Sequence, residues 1–403
     1  MRARGFGTSV TVLGAVVALA VVFVLREPPT VAPITMRFSS SYVWRETRES
    51  PGGLAGDATV REEAGLFAAA ASGDARAVHG DTASVYDAAT RTQLTRRRSG
   101  GGWAYTRTVD EWPPVWRTSF AGPLRYQGLA AVVRSALEDR DPLVGIKPVA
   151  QGERRSWRAA LSWPGGGRAD VVVDERSGLV LWCSSVGPAP DPSQSDAAVP
   201  VREEFSARAD PAASVPGDAR LELSAPPGAR VTTRRERRYT YYRSLQGAAQ
   251  AARFAALEPT VVPDGYALRA VATRHRPGLV AAAVPPDADR LSTARPRQPA
   301  NEMDLCYTRG LAWFTVAVTH IAGSRQAAAD VRALAGELLP AELSSRETTL
   351  QYGALAGRTA YTWYAPRGPM LFVSDGRYAV LASGALTRQE LIALAEGLEP
   401  LER

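Results

Sequence analysis

Lysine is nearly missing from this chain. Among 403 residues Lys147 stands alone, so 47 of the 48 basic residues are arginine. With abundant Ala, Gly and Pro, that skew reads as the codon bias of a GC-rich genome. The formal charge of +7 therefore says less about partners than it would in a lysine-rich protein. Two cysteines and three histidines leave little room for a Cys/His metal site, and no metal, cofactor or catalytic group is expected. No Gly-x-Ser-x-Gly elbow, phosphate loop, His-Glu-x-x-His or Cys-x-x-Cys occurs. His79, His275 and His320 are far apart. The carboxylate pairs Glu62/Glu63, Asp110/Glu111 and Glu203/Glu204 are sequence neighbours, which point apart on a strand. A binding protein is expected rather than an enzyme, with an envelope hydrolase as the third reading. The apolar fraction of 45%, with 22% charged, excludes both a disordered chain and a polytopic membrane protein.

What is there begins at the N-terminus. Gly5 to Leu25 carries no charge over 21 positions, and a helix of that length is about 31 Å long, enough to cross a bilayer. Arg2 and Arg4 precede it, and Arg26-Glu27-Pro28-Pro29 ends it. The positive-inside rule then places the short tail in the cytoplasm and the rest outside the membrane. The expectation is a single-pass signal anchor. The alternative is a cleaved signal peptide, for which Ala18-Leu19-Ala20 and Thr30-Val31-Ala32 have the small-x-small form.

The rest reads as α+β, mainly antiparallel β: an unclosed barrel over 36–230, a basic connector over 231–244, and a smaller antiparallel α+β domain over 245–403. Residues 1–35 hold the tail, anchor and spacer. Met36–Trp44 alternates as a strand, and Glu62–Ala71 reads as a short helix. A hairpin joins Ala83–Asp87 to Thr92–Arg97, with Trp103–Val109 following. Tyr126–Asp139 has helical spacing of Leu129, Val132, Val133, Ala136 and Leu137. Strands are expected at 145–151, 156–163, 168–174, 179–185, 201–209 and 220–223. In the second domain the expectation is a helix at 245–257, strands from Ala267 to Ala382, an amphipathic helix at 324–339, and a last helix opened by the capping box Thr387-Arg388-Gln389-Glu390.

Seven of the nine tryptophans precede residue 190. They read as strand core, or as the lining of an apolar hollow for an acyl chain or hydrophobic peptide. The candidate lining is Trp103, Tyr105, Trp157, Leu161, Trp163, Val171, Val173 and Leu181. Trp112 and Trp116, in a Pro-rich stretch, are a candidate lid. Cys183 and Cys306 either pair, which would restrict an unfolded loop of about 120 residues by roughly 4–5 kcal/mol, or remain two buried thiols. The clusters Arg96-Arg97-Arg98 and Arg234–Arg238 are solvated strand and linker faces, or they meet anionic lipid, cell-wall polymer or an acidic partner. Outside the membrane, nucleic acid is not expected.

Three short stretches carry a resemblance: Val173-Asp174-Glu175-Arg176-Ser177-Gly178-Leu179-Val180, Val262-Pro263-Asp264-Gly265-Tyr266, and Arg377-Tyr378-Ala379-Val380-Leu381 followed by Leu386-Thr387-Arg388-Gln389-Glu390-Leu391. Their layout over roughly 36–403 resembles the RseB/MucB-type regulators of envelope-stress sigma factors, whose first domain is like the LolA/LolB lipoprotein carriers. The resemblance implies an unclosed β-barrel with a lipid-accommodating hollow and a partner in the extracytoplasmic part of an anti-sigma factor, with lipid or an acylated protein as the alternative ligand. The apolar anchor and the long 276–300 loop depart from that pattern. No binding motif matches position by position, so no family binding residue carries over.

Overall fold

The computed structural model describes residues 34–45, 58–69, 74–109, 126–186, 200–209, 223–274, 301–321 and 345–401, apart from a few turn positions within those ranges. The apolar 5–25 segment, Trp163, the lid residues Trp112 and Trp116, the 276–300 loop and the expected 324–339 helix lie outside the described residues. No described helix is long and apolar enough to cross a membrane.

The described part is mainly antiparallel β. Strands β1 (Ile34–Arg45), β2 (Ala58–Ala69), β3 (Ala75–His79), β4 (Thr82–Asp87), β5 (Thr92–Ser99) and β6 (Gly102–Val109) precede helix α1 (Gln127–Glu138). β7 (Gly145–Gln151), β8 (Arg154–Ser162), β9 (Arg168–Asp174), β10 (Val180–Val186), β11 (Pro200–Ala209) and β12 (Val231–Arg235) complete a first sheet. Its order is β12-β6-β5-β4-β3-β2-β1-β11-β10-β9-β8-β7. β12 and β7 end this order without pairing each other, so the sheet is unclosed.

The second sheet takes β13 (Thr240–Tyr242), β15 (Ala267–Arg274), β16 (Glu302–Arg309), β17 (Ala312–His320), β21 (Tyr378–Gly384), β20 (Gly368–Ser374), β19 (Thr359–Ala365) and β18 (Arg346–Thr349), in that order. Helices α2 (Leu245–Ala252) and α3 (Arg388–Glu396) contribute to its core, and β14 (Leu257–Pro259) pairs with β22 (Leu398–Pro400).

Two expectations are corrected. Of the expected helix Glu62–Ala71, the described residues 62–69 are not helix but part of β2, paired with β1 and, from Gly65, with β3 as well. Its Ala/Glu composition suits a helix, but pairing on both sides outweighs so weak a propensity. The basic connector is not a free linker either. Val231–Arg235 adds a parallel edge strand to β6, and Thr240–Tyr242 opens the second sheet on β15. Parallel edge pairing is a non-local event that composition cannot announce.

Each sheet has its own core. Phe67, Ala77, Leu161, Val171, Val173, Cys183 and Phe205 of the first pack against Leu129, Val132, Val133 and Ala136 of α1. In the second, Leu305, Phe314, Val316, Leu371 and Val380 pack with Leu391 and Leu394 of α3. The opposite face of this second sheet is buried too, by Ile321, Trp363, Phe372 and Ala379.

Candidate functional site: the inner face, its helix and the junction

Register divides the candidate hollow. Trp157, Ala159 and Leu161 on β8 stand opposite Val173, Val171 and Ala169 on β9, and all join the core under α1. A bulge between Val180 and Trp182 shifts the parity of β10. Val180 and Cys183 therefore take the inner positions, and Leu181 is the additional buried residue of the bulge. Further along, the inner row runs Phe67–Ala77–Ser84–Thr95–Thr106. It turns polar as it goes: the Ser84 and Thr95 hydroxyls are 3.0 Å apart, and Gln93 Nε2 donates to Thr95 Oγ1 at 3.1 Å.

Trp103 and Tyr105 do not belong with this group. Tyr105 pairs with Arg96, one position off the inner row, so both aromatics stand on the opposite face of the sheet. Helix α1 covers the apolar inner face, and Leu161, Val171 and Val173 pack on it as core. Trp157 is half-buried against the same core.

Of the two readings of the cysteines, the structure gives the second. Cys183 and Cys306 are separate buried thiols. Cys183 faces α1 from the first sheet, whereas Cys306 lies in the second sheet on the face opposite Leu305 and Tyr307. Each sits in its own strand ladder, Cys183 opposite Val171 and Phe205 and Cys306 opposite Ala270 and Thr315.

The sequence reading missed the junction between the units. α1 is wedged between the two sheets, and its C-terminal half meets the N-terminus of α3. A Schellman closure ends α1: Asp141 N–H donates to Ala136 O at 2.9 Å and Arg140 N–H to Leu137 O at 3.3 Å, with Arg140 at φ +49°. This turn brings Asp139 and Asp141 to one side. Arg388 Nη1 lies 3.2 Å from Asp139 Oδ2 and 3.5 Å from Asp141 Oδ2, with all three side chains almost fully buried. Arg346 Nη2 reaches Asp141 Oδ2 at 3.2 Å. The Tyr364 hydroxyl donates to Asp139 Oδ2 at 3.1 Å, and the Arg388 guanidinium lies 4.4 Å from the Tyr364 ring centroid. Burial, with Asp139 and Asp141 nearby, pushes the Tyr364 hydroxyl up to about 12, so it stays a donor.

The other half of the junction is built on the capping box. Thr387 Oγ1 accepts from Glu390 N–H at 3.2 Å, and Glu390 Oε2 accepts from Thr387 N–H at 2.7 Å. The same Glu390 oxygen accepts from Arg134 Nη2 at 2.8 Å, and Ser135 Oγ accepts from Arg388 N–H at 2.8 Å. Gly384, at φ +135°, brings the chain against Trp313 O, where an added Cβ would lie 2.5 Å away. Just beyond it, Ala385 O receives Arg134 Nη2 at 2.9 Å and the Tyr266 hydroxyl at 3.0 Å. Tyr266 closes the Pro263-Asp264-Gly265 turn. Tyr266 of the Pro-Asp-Gly-Tyr turn thus shares the Ala385 carbonyl with Arg134, the same arginine that Glu390 of the capping box holds.

The charges are placed for the junction rather than for their own helices. Asp139 and Asp141 stand at the negative end of the α1 dipole, and Arg388 at the positive end of α3. Each is unfavourable at its own terminus and is compensated from across the junction. The available signal was Arg134-Ser135, a polar interruption in an otherwise apolar helix. Among the described residues, no cluster of three His, Cys, Asp or Glu could hold a metal ion.

These features define the class: an unclosed antiparallel sheet around one helix, joined through that helix to a second antiparallel sheet. No protein-family model matches the chain, and neither does any curated protein. Among solved structures the chain is similar to MucB. MucB in complex with MucA(peri) matches at 13% identity over 91% of this chain and 94% of that one, with a TM-score of 0.25. The Pseudomonas aeruginosa MucA/MucB complex matches at 12% over 91% and 94%, and MucB alone at 12% over 95% and 98%, both with a TM-score of 0.25.

Proposed function

We propose that this chain is a membrane-tethered, extracytoplasmic regulatory binding protein that engages the extracytoplasmic part of a membrane partner of the anti-sigma-factor type, and is not an enzyme. The supporting observation is the junction. Buried charges unfavourable to their own helices are complementary across it, which specifies how the two sheets sit together. A fixed arrangement of two sheets presents a composite surface to one partner. The motif resemblance to RseB/MucB-type regulators, and the similar MucB structures with MucA bound, suggest the partner class. The Gly5–Leu25 segment supports the tether. The alternative, a membrane-fixed lipid or lipoprotein carrier, must first displace α1, because α1 packs on the apolar inner face.

The test is a crosslinking pull-down of the full chain from its own membranes. Recovery of an anti-sigma factor is the expected result. Co-purified lipid without a protein partner overturns the regulatory reading in favour of the carrier. Topology is tested separately: a reporter fused after Arg403 should be active only outside the cytoplasm, and a mature N-terminus at Val21 or Pro33 would remove the anchor.

A further inference from the structure

Arg96-Arg97-Arg98 and, of the second cluster, Arg234 and Arg235 fall on β5 and β12, the two strands that flank β6 at one edge of the first sheet. Parallel pairing sets β12 beside β6, with Arg234 opposite Thr108 on the inner-face row and Arg235 opposite Val109 on the outer-face row, and β5 lies on the other side of β6. On the face away from α1, the pairs Arg98–Trp103, Arg96–Tyr105 and Leu94–Arg107 run in succession. Trp103 is 47% exposed, with the Arg96 guanidinium 4.4 Å from its ring centroid. The row of Arg96 and Tyr105 continues through Ala83 and Val78 to Leu66, which is 40% exposed. Across β3, β4, β5, β6 and β12 the only carboxylate within a strand is Asp87. Its Oδ1 accepts from the N–H groups of Ala89 and Thr90 in the next turn, at the end of β4 where Asp87 pairs with Thr92 rather than with an arginine.

We propose that this outer face, carrying Arg96, Arg98, Arg107, Trp103 and Leu66, lies on the surface of a bilayer containing anionic lipid. Guanidiniums with no ion pair to a carboxylate among the described residues match an anionic surface. An indole with one face on a guanidinium and its edge in water suits the headgroup region. The start of the sheet fits as well: Ile34 of β1 follows the apolar 5–25 run by only residues 26–33, a tether of at most about 28 Å. That last argument rests on the tether reading above, whereas the charge and aromatic pattern does not.

The experiment uses the full chain with vesicles of phosphatidylcholine, alone or mixed with phosphatidylglycerol, the phosphatidylcholine carrying brominated acyl chains. The readout is the quenching attributable to Trp103, taken as the difference between the wild-type chain and Trp103→Phe. The expected result is quenching with the mixed vesicles only, reversed by about 0.5 M salt, which shortens electrostatic range to a few ångströms. In the Arg96→Gln/Arg98→Gln/Arg107→Gln chain, attraction should weaken about fivefold per arginine removed. Equal quenching in both vesicle types, or in neither, overturns the proposal, as does quenching indifferent to salt; absence in both leaves the face to an acidic protein partner. The salt titration on the wild-type chain needs no substitution, so a poorly folding triple variant does not spoil the test. Pelleting with pure phosphatidylcholine reports the tether separately: its loss would defeat the tether while the lipid-composition effect still decides the face.

Discussion

The two sheets bury themselves differently. In the second, β16 and β17 are buried along almost their whole length, on both faces. In the first, β5 runs from buried Gln93 and Leu94 to exposed Arg97, Arg98 and Ser99, and the inner face relies on α1 for its apolar cover. A sheet buried on both sides is stabilised within itself. A sheet covered on one side by one helix depends on whatever holds that helix. Here α1 is held partly by the other unit, through Arg388, Arg346, Tyr364 and Glu390. The second sheet should therefore tolerate loss of the first better than the first tolerates loss of the second.

The sharpest way to break that contrast is inside the second core. Phe314 is fully buried between Tyr307, at 4.8 Å between ring centroids, and Tyr266, at 5.0 Å. Phe314→Ala should cost about 3–5 kcal/mol in denaturant unfolding, and it should weaken the first unit as well. The half-buried Trp157 should cost less, about 2 kcal/mol on Trp157→Ala. Equal losses would erase the difference between the two cores.

Arg388→Met tests the junction directly. It should cost about 3 kcal/mol, the lower end for breaking a buried ion pair, because Arg346 still serves Asp141 and Tyr364 still serves Asp139. The melt should also separate into two transitions, the first sheet going first. Limited proteolysis at the 230–243 arginines should then release a resistant second unit. A single sharp transition would show that the junction does not couple the two.

Smaller still is the cap. Thr387→Ala removes the acceptor for Glu390 N–H and should cost about 1 kcal/mol, without separating the transitions.

The smallest effect is a pH dependence confined to the second unit. His320 stacks on Phe254 at 5.6 Å and meets Tyr378 edge-on at 5.7 Å. Burial, then the nearby Arg377, holds its imidazole below the usual 6.5. The unfolded chain therefore takes up the proton first. Stability should be full above the unfolded pKa and decline as pH falls below it, until the folded imidazole also titrates. His320→Gln should flatten that decline in a urea series between about pH 7 and pH 5. An unchanged slope would assign it to other groups.

Much of the fold was legible because its signals are local. The capping box, the Pro-Asp-Gly-Tyr turn, the α1 spacing and the alternation in β8 and β9 each depend on residues a few positions apart. What could not be read depends on partners far along the chain. β2 is a strand because β1 and β3 flank it, and β12 is an edge strand because β6 lies exposed beside it. Trp103 and Trp157 look alike in sequence, yet only pairing register decides which face each one takes, and one residue of bulge at Leu181 reverses the faces that follow. The sequence by itself determined where the chain turns and where α1 and α3 start. Only the tertiary structure decided which arginines meet which aspartates, because a charge at an unfavourable helix end signals nothing until its counterpart arrives from more than two hundred residues away.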